Sequence, residues 1–361
     1  PAVQLHKHSV HLGTRTIKLL QIFPISLWML LLVVVPMLYV FFSSFMSRNY
    51  DGDIVYHFTL QNFAQVFAAS NLQIYLHSFW IGILTTVICL LISYPFAFFI
   101  AQKGPVAKTI LMALVVVPSV SNSLVRLFGW LTLLRKTGVA NTLLECLGLI
   151  HHPLTLVYNN GGIVLGMVYL LLMFMILPIF NALDRLDHNL IEAAEDLGAS
   201  KFQIFKELIV PLTEPGIVAG CIMVFIPSLG YFFVSDVMGG GTQNMMGNLI
   251  ENQFQVSRNW PLGCAISVML ILLTILLLVI YQRRGGDMDE LGGYEMNKRL
   301  TERPWKNVFI GLTLLFLYLP VVVIIIFSFN TSKMNILFEG FTTKWYGLVF
   351  HNYQIMAALK N

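Results

Sequence analysis

Glu192-Ala193-Ala194-Glu195-Asp196-Leu197-Gly198-Ala199-Ser200, running on to Leu208-Ile209-Val210-Pro211, is the polar island on which the reading of the fold turns. Leu190, Ala193, Ala194 and Leu197 recur at the spacing of one helical face. Gly198 is suited to end that first short helix in a left-handed conformation. Ser200 is a ready N-cap for a second helix, and Pro211 is expected to stop it before the next apolar stretch. A helix, a glycine and a second helix suit docking into a groove on another protein. The small alanines allow close approach, and Glu192 offers a charge to a basic partner. An amphipathic loop lying on a membrane surface has the same spacing, and the pattern alone leaves the two readings level.

The flanks of this island are apolar. A bilayer-spanning helix needs about 20 mostly apolar residues. The stretches that qualify are roughly 22–45, 76–101, 109–133, 161–183, 213–235, 260–282 and 305–329. Of the 361 residues, 57% are hydrophobic and 11% charged, against about 25% charged in soluble domains. Backbone groups in lipid must be satisfied within the segment, so these stretches are expected to be helices. The fifth carries Pro215, Gly216, Gly220, Pro227 and Gly230 and is expected to be kinked or broken. With the N-terminus placed in the cytoplasm, the basic residues of the inside segments (among them Lys103, Lys108, Arg185, Lys201, Arg283 and Lys306) outnumber those outside, as the positive-inside rule requires.

The composition excludes several classes. No basic run of nucleic-acid type occurs, so a nucleic-acid partner is not expected. Cys89, Cys146, Cys221 and Cys264 make neither a disulfide framework nor a metal pair. His6, His8 and His11 lie in an N-terminal tail, and His151-His152 has no Cys or carboxylate cluster beside it, so no metal site is expected. No phosphate-binding glycine loop occurs. The first apolar stretch is too long for the core of a cleaved signal. The numbering opens on Pro1 rather than Met, so residues ahead of it are expected.

An internal repeat follows. Phe58-Thr59-Leu60-Gln61-Asn62-Phe63-Ala64-Gln65-Val66-Phe67 and Phe341-Thr342-Thr343-Lys344-Trp345-Tyr346-Gly347-Leu348-Val349-Phe350 share Phe-Thr-x3-aromatic-x2-Val-Phe. Each lies beyond a proline in the preceding apolar stretch, Pro36 or Pro320. The expected organisation is a six-helix unit over 1–284 and a polar linker or chain junction over 285–304. The first membrane helix and external segment of a second unit then occupy 305–361. The numbering stops at Asn361, where the second helix of that unit is expected.

Glu-Ala-Ala-x3-Gly-x9-Leu-x-Val-Pro resembles the EAA loop of ABC importer permeases; Leu208 and Val210 stand where the family prefers Ile and Leu. The stretches Ile92-Ser93-Tyr94-Pro95-Phe96-Ala97, Asn122-Ser123-Leu124-Val125-Arg126 and Val234-Ser235-Asp236-Val237-Met238-Gly239-Gly240 are similar to the B permease subunits of bacterial spermidine/putrescine importers. Residues about 310–361 are similar to the start of the C subunits. The resemblance implies an all-α, polytopic type I ABC importer permease fold, with about six transmembrane helices plus the first of a second repeat. It implies a transport subunit rather than an enzyme, multi-pass in the bacterial cytoplasmic membrane with its N-terminus inside. Glu192, Ala193, Ala194, Asp196, Leu197, Gly198 and Pro211 would couple it to a dimeric cytoplasmic ABC ATPase, which would hold the ATP and Mg; this chain would bind no cofactor. A second permease half, an external substrate-binding protein and the lipid bilayer complete the expected partners.

A polyamine path calls for carboxylates or carbonyls to meet ammonium groups and for aromatic faces. Polar residues within a membrane are functional candidates by default. Asp236 stands at the end of the broken fifth stretch and is placed to meet an ammonium group; a solvated helix-end carboxylate is the other reading. Tyr169 and Tyr231 either wall the path or pack helices. Asn122 and Ser123 offer oxygens to cargo or to a neighbouring helix. Arg126 would repel a polyamine, and a structural or gating ion pair is the reading favoured for it. Two rivals remain at this stage. An ion-gradient-driven secondary transporter would need more intramembrane acids than this chain offers, and a non-transporting anchor would bind an ATPase without flux. Within the importer class the alternative is another small organic solute.

Overall fold

A computed structural model of the chain describes residues 23–49, 52–241, 243–283, 304–332, 340–351 and 356. They fall into two compact units, divided at Ala68/Ala69, Leu249/Ile250 and Leu272/Leu273. The linker expected over 285–304 lies outside the described residues except for Pro304, as do His6, His8 and His11.

The first unit opens with α1 (Phe23–Ser43), apolar on every face, with none of its most hydrophobic window buried, as suits a span facing lipid. Over Leu30–Val34 it loosens into a π-helix, and Val35 N–H reaches back to Leu30 O. Pro36 follows at once; its missing N–H removes one bond from the ladder, and the wider turn takes up the difference. The strands β1 (Met46–Arg48) and β2 (Ile54–Phe58) then pair antiparallel, with Gly52 at φ +94° in the turn. This short hairpin lies outside the apolar spans and leaves the chain all-α in class, as expected. The short helix α2 (Gln61–Val66) is held by the Asn62 amide, which donates to Ser44 O at 2.9 Å and Met46 O at 2.7 Å.

The second unit is built around two long helices. α3 (Ala69–Ala101) has 33 residues and α7 (Asn160–Asp184) has 25. In α7, 78% of the apolar window is buried, against 39% in α3, so α7 is the central post. Between them stand α4 (Pro105–Val120), α5 (Ser123–Leu134) and α6 (Val139–Cys146). After α7 come α8 (His188–Asp196), α9 (Lys201–Leu212) and α10 (Glu214–Gly230), then α11 (Phe232–Gly239) and α12 (Met246–Gln255). Both α12 and α13 (Trp260–Arg283) have residues in each unit, Ile250–Leu272 belonging to the first, while α14 (Pro304–Phe327) and α15 (Lys344–His351) lie in the second. Glycine lets α10 approach α7: a Cβ on Gly216 would lie 2.6 Å from that of Ala182 and 2.7 Å from Pro178 O. Close approach through small residues is how membrane helices gain packing energy.

Among the described residues, five helices are long and apolar enough to cross a membrane, and two bent pairs raise the number to as many as seven. The bends correct two expectations. The stretch 109–133 is not one helix, because α4 meets the α5–α6 pair at 92°. Ser121 is extended, and the Asn122 side chain accepts from Leu124 N–H at 2.9 Å; a local cap competes successfully with helix continuation. Pro211 does not stop α9, which runs to Leu212 before a 62° bend at Thr213 into α10. Its missing N–H is absorbed by a π-helical turn over Ile204–Ile209, the device seen in α1. The Thr213 hydroxyl takes up Ile209 O at 2.9 Å, and Pro215 opens α10. The fifth stretch breaks as expected, at Tyr231.

The repeat read from sequence is a repeat of contacts. Phe45 stacks on Phe58 (5.6 Å, 7°) and Phe329 stacks on Phe341 (5.2 Å, 10°). Thr59 N–H donates to Phe45 O and Thr342 N–H to Phe329 O, both at 2.7 Å. The Thr59 and Thr342 hydroxyls cap Gln61 N–H and Lys344 N–H at 3.1 and 3.2 Å. Trp345 Nε1 donates to Asn330 O at 2.7 Å, the position that Met46 O holds under Asn62 in the first copy.

Candidate functional site

The Glu192–Pro211 island is built as its residues direct. The Asp187 carboxylate caps α8 at Asn189 N–H, 3.0 Å away. Gly198 is left-handed at φ +83°. Ser200 and Gln203 form a reciprocal capping box at the start of α9. Ile191, Ala194 and Ala199 turn toward the core, while Glu192, Ala193, Asp196 and Gly198 are exposed and Leu197 is 89% exposed. An apolar side chain held in the open on a short, capped helix is a knob without its hole. Behind it Phe205 of α9 meets the rings of Tyr94 and Phe98 of α3 at 5.8 and 6.0 Å. Tyr94 Oη lies 3.1 Å from Thr213 Oγ1 at the bend. The α8–α9 segment is thus packed directly against α3 and the start of α10.

The pathway candidates divide into two groups. Ser123, Arg126, Tyr169 and Tyr231 come together, with Asn122 as the cap at the head of the same helix. Arg126 is 6% exposed; its guanidinium lies 5.6 Å from the Tyr169 ring centroid and donates to Ser123 Oγ at 3.3 Å. Tyr231 lies within reach of the same charge. No carboxylate pairs with Arg126 among the described residues, and its Nε has no hydrogen-bond partner. Tyr169 is 1% exposed, edge-on to Trp130 and Phe316 at 5.7 Å each, and its hydroxyl donates to Leu317 O at 3.1 Å. That carbonyl lies in the turn before Pro320, where the proline loosens the ladder of α14. Tyr169 is thus a packing post in this conformation, and Tyr231 is the half-exposed aromatic.

Asp236 stands apart, exposed on α11 beyond the spanning helices. It accepts from Asn248 Nδ2 at 2.7 Å; the same amide donates to Phe232 O at 3.3 Å. Partial burial raises the Asp236 carboxyl above its ordinary range, and the Asn248 bond opposes this. Asn248 was missed in the sequence because a polar residue on an amphipathic helix carries no signal of its partner. So was the ion pair of Lys108, opening α4, with Asp184, closing α7, whose side chains are 5% and 6% exposed. Opposite charges bounding two apolar runs were the available hint.

Residues 93–284 match the family model described as the binding-protein-dependent transport system inner membrane component. The chain belongs to this family. It is a multi-pass inner-membrane permease subunit of an ABC importer. The permease is 40% identical over 256 residues to the spermidine/putrescine transport system permease protein PotB of Haemophilus influenzae, a match covering 71% of this chain and 90% of that one. PotB of Escherichia coli is 39% identical over 256 residues, covering 71% and 93%. The inner membrane ABC transporter permease protein YdcU of Escherichia coli is 30% identical over 286 residues, covering 72% and 90%. Among solved structures, a bacterial alginate ABC transporter in complex with an alginate pentasaccharide-bound periplasmic protein superposes with TM-score 0.61 at 13% identity, covering 74% of this chain and 93% of that one. At that identity the likeness is one of fold.

Proposed function

We propose that this permease imports polyamines, spermidine and putrescine, handed over by an external binding protein. Identity of 40% to PotB across 90% of that protein is the observation that carries the cargo. The α8–α9 loop is the coupling element. Leu197 and Ala193 enter a cleft of a cytoplasmic ABC ATPase dimer, with Glu192 and Asp196 on its rim and Gly198 setting the angle between the two helices. ATP and Mg reside on that ATPase. This orientation places α8–α9 and the N-terminus in the cytoplasm, with α2, α11 and α15 outside, where the binding protein docks. Residues 1–284 form one permease half and 305–361 begin the second; the repeated Phe–Phe stacks support that division. At the outer mouth Asp236 meets a cargo ammonium, with Tyr231 as an aromatic wall. Arg126, lodged against Tyr169 and Ser123, sets the packing of α5 on α7.

The test is ATP hydrolysis by the assembled complex in proteoliposomes, with the binding protein loaded in turn with spermidine, putrescine, an amino acid or a sugar. Stimulation by the two polyamines alone is expected. Stimulation by another solute and not by polyamines would overturn the cargo and leave the importer class intact.

A further inference from the structure

A cavity of about 560 Å³ lies at the end of the second unit where α3 and α7 stop and α14 starts, with α8 and α9 forming its opposite wall. Phe98, Leu183, Ile204, Phe205, Ile209 and Trp305 make most of its lining apolar. Its polar groups are Gln102, Glu195, Lys201 and Lys306. The Lys306 ammonium donates to Gln102 and lies 5.7 Å from the Phe99 ring centroid. Trp305 packs edge-on to Phe99 at 4.8 Å, and Lys103 beside it donates to Asn307 Oδ1 at 2.7 Å. A tryptophan and lysines at the ends of apolar spans mark the level of the lipid headgroups.

We propose that this cavity holds an anionic phospholipid, its phosphate against Lys201 and Lys306 and its upper acyl chains against the apolar wall. The walls argue for a lipid over a soluble anion, since a free phosphate would leave the partly exposed Phe98 and Phe205 and the exposed Trp305 uncovered. The charges argue for an anionic over a zwitterionic headgroup: two lysines against the single carboxylate of Glu195 leave the lining net positive. Basic pockets between helices at the cytoplasmic leaflet bind such headgroups. One wall is the coupling loop and the other the ends of the spanning helices. A bound lipid therefore braces the loop against the bundle, a role that rests on the coupling reading above.

The test is native mass spectrometry of the assembled complex, extracted from nanodiscs of phosphatidylcholine containing increasing phosphatidylglycerol, without cargo. The wild-type complex is expected to retain phosphatidylglycerol. Lys201→Gln and Lys306→Gln should each require about fivefold more of it, the loss expected for one lysine near a phosphate. Lys201 is exposed, so Lys201→Gln serves if Lys306→Gln fails to assemble. Equal retention by the wild type and Lys201→Gln would overturn the proposal, as would displacement by soluble glycerol phosphate. Polyamine-stimulated hydrolysis, measured on the same discs, should rise with phosphatidylglycerol in the wild type and lag in the variants. Lipid loss without that lag would remove the link to coupling while keeping the site.

Discussion

At the scale of single residues, the buried charges carry the firmest expectations. Lys108 and Asp184 are paired out of contact with water, and removing one partner of such a pair costs about 3–5 kcal/mol because a buried charge loses its opposite charge. Lys108→Ala and Asp184→Ala should each lower the thermal midpoint of the purified complex sharply, and the double variant should recover much of the loss. If the double variant is the worst of the three, the pair is not coupled as described. Asp236 gives a prediction in pH. Its folded pKa is raised, by partial burial first and against the Asn248 bond. It therefore takes up its proton at a higher pH than a free aspartate, and the negative charge at the proposed outer mouth fades as pH falls through that value. Polyamine uptake should decline on that limb, and Asp236→Asn should flatten the decline with uptake low throughout. An unchanged limb in Asp236→Asn would assign the pH dependence to another group.

At the scale of elements, α5 rests on α14 across Gly129, where an added Cβ would stand 2.6 Å from Pro320 O. Gly129→Ala must push the helices apart and should cost about 1–3 kcal/mol, read as a lower midpoint in thermal unfolding. Gly198→Val forces a β-branched residue to φ +83°, at a cost of roughly 1–2 kcal/mol or more. It should leave membrane insertion intact and weaken ATPase co-purification. What was legible in the sequence follows the same local logic. The α8–Gly198–α9 turn was readable because a glycine, a serine cap and a helical face act within a few residues of one another. The break at Ser121–Asn122 was not, because hydropathy runs unbroken through 109–133 and the cap depends on a single amide. Pro211 was misread because a π-helical turn can absorb a missing N–H. The cluster of Arg126, Tyr169, Ser123 and Tyr231 lies across three elements; residue types named its members, and only packing shows that Tyr169 has its faces and hydroxyl already engaged.

At the scale of the whole molecule, two features belong together. The proposed coupling loop α8–α9 stands at one end of the second unit, and the segment around 329–346 repeats the aromatic stack and the threonine caps found around 45–61. The aromatic and threonine positions of 58–67 and 341–350 made the repeat visible; the stacks and caps make it a repeat of structure. In the coupling proposed above, ATPase closure moves the α8–α9 loop, so flux is expected to fail when that loop fails even though every pathway residue remains. The decisive measurement is ATP-dependent uptake of radiolabelled spermidine and putrescine into vesicles containing the full complex and its binding protein, with Glu192→Lys in parallel. The account predicts saturable, ATP-dependent uptake in the wild type that the loop variant loses while still reaching the membrane. Uptake that follows an ion gradient and ignores both ATP and Glu192→Lys would contradict it.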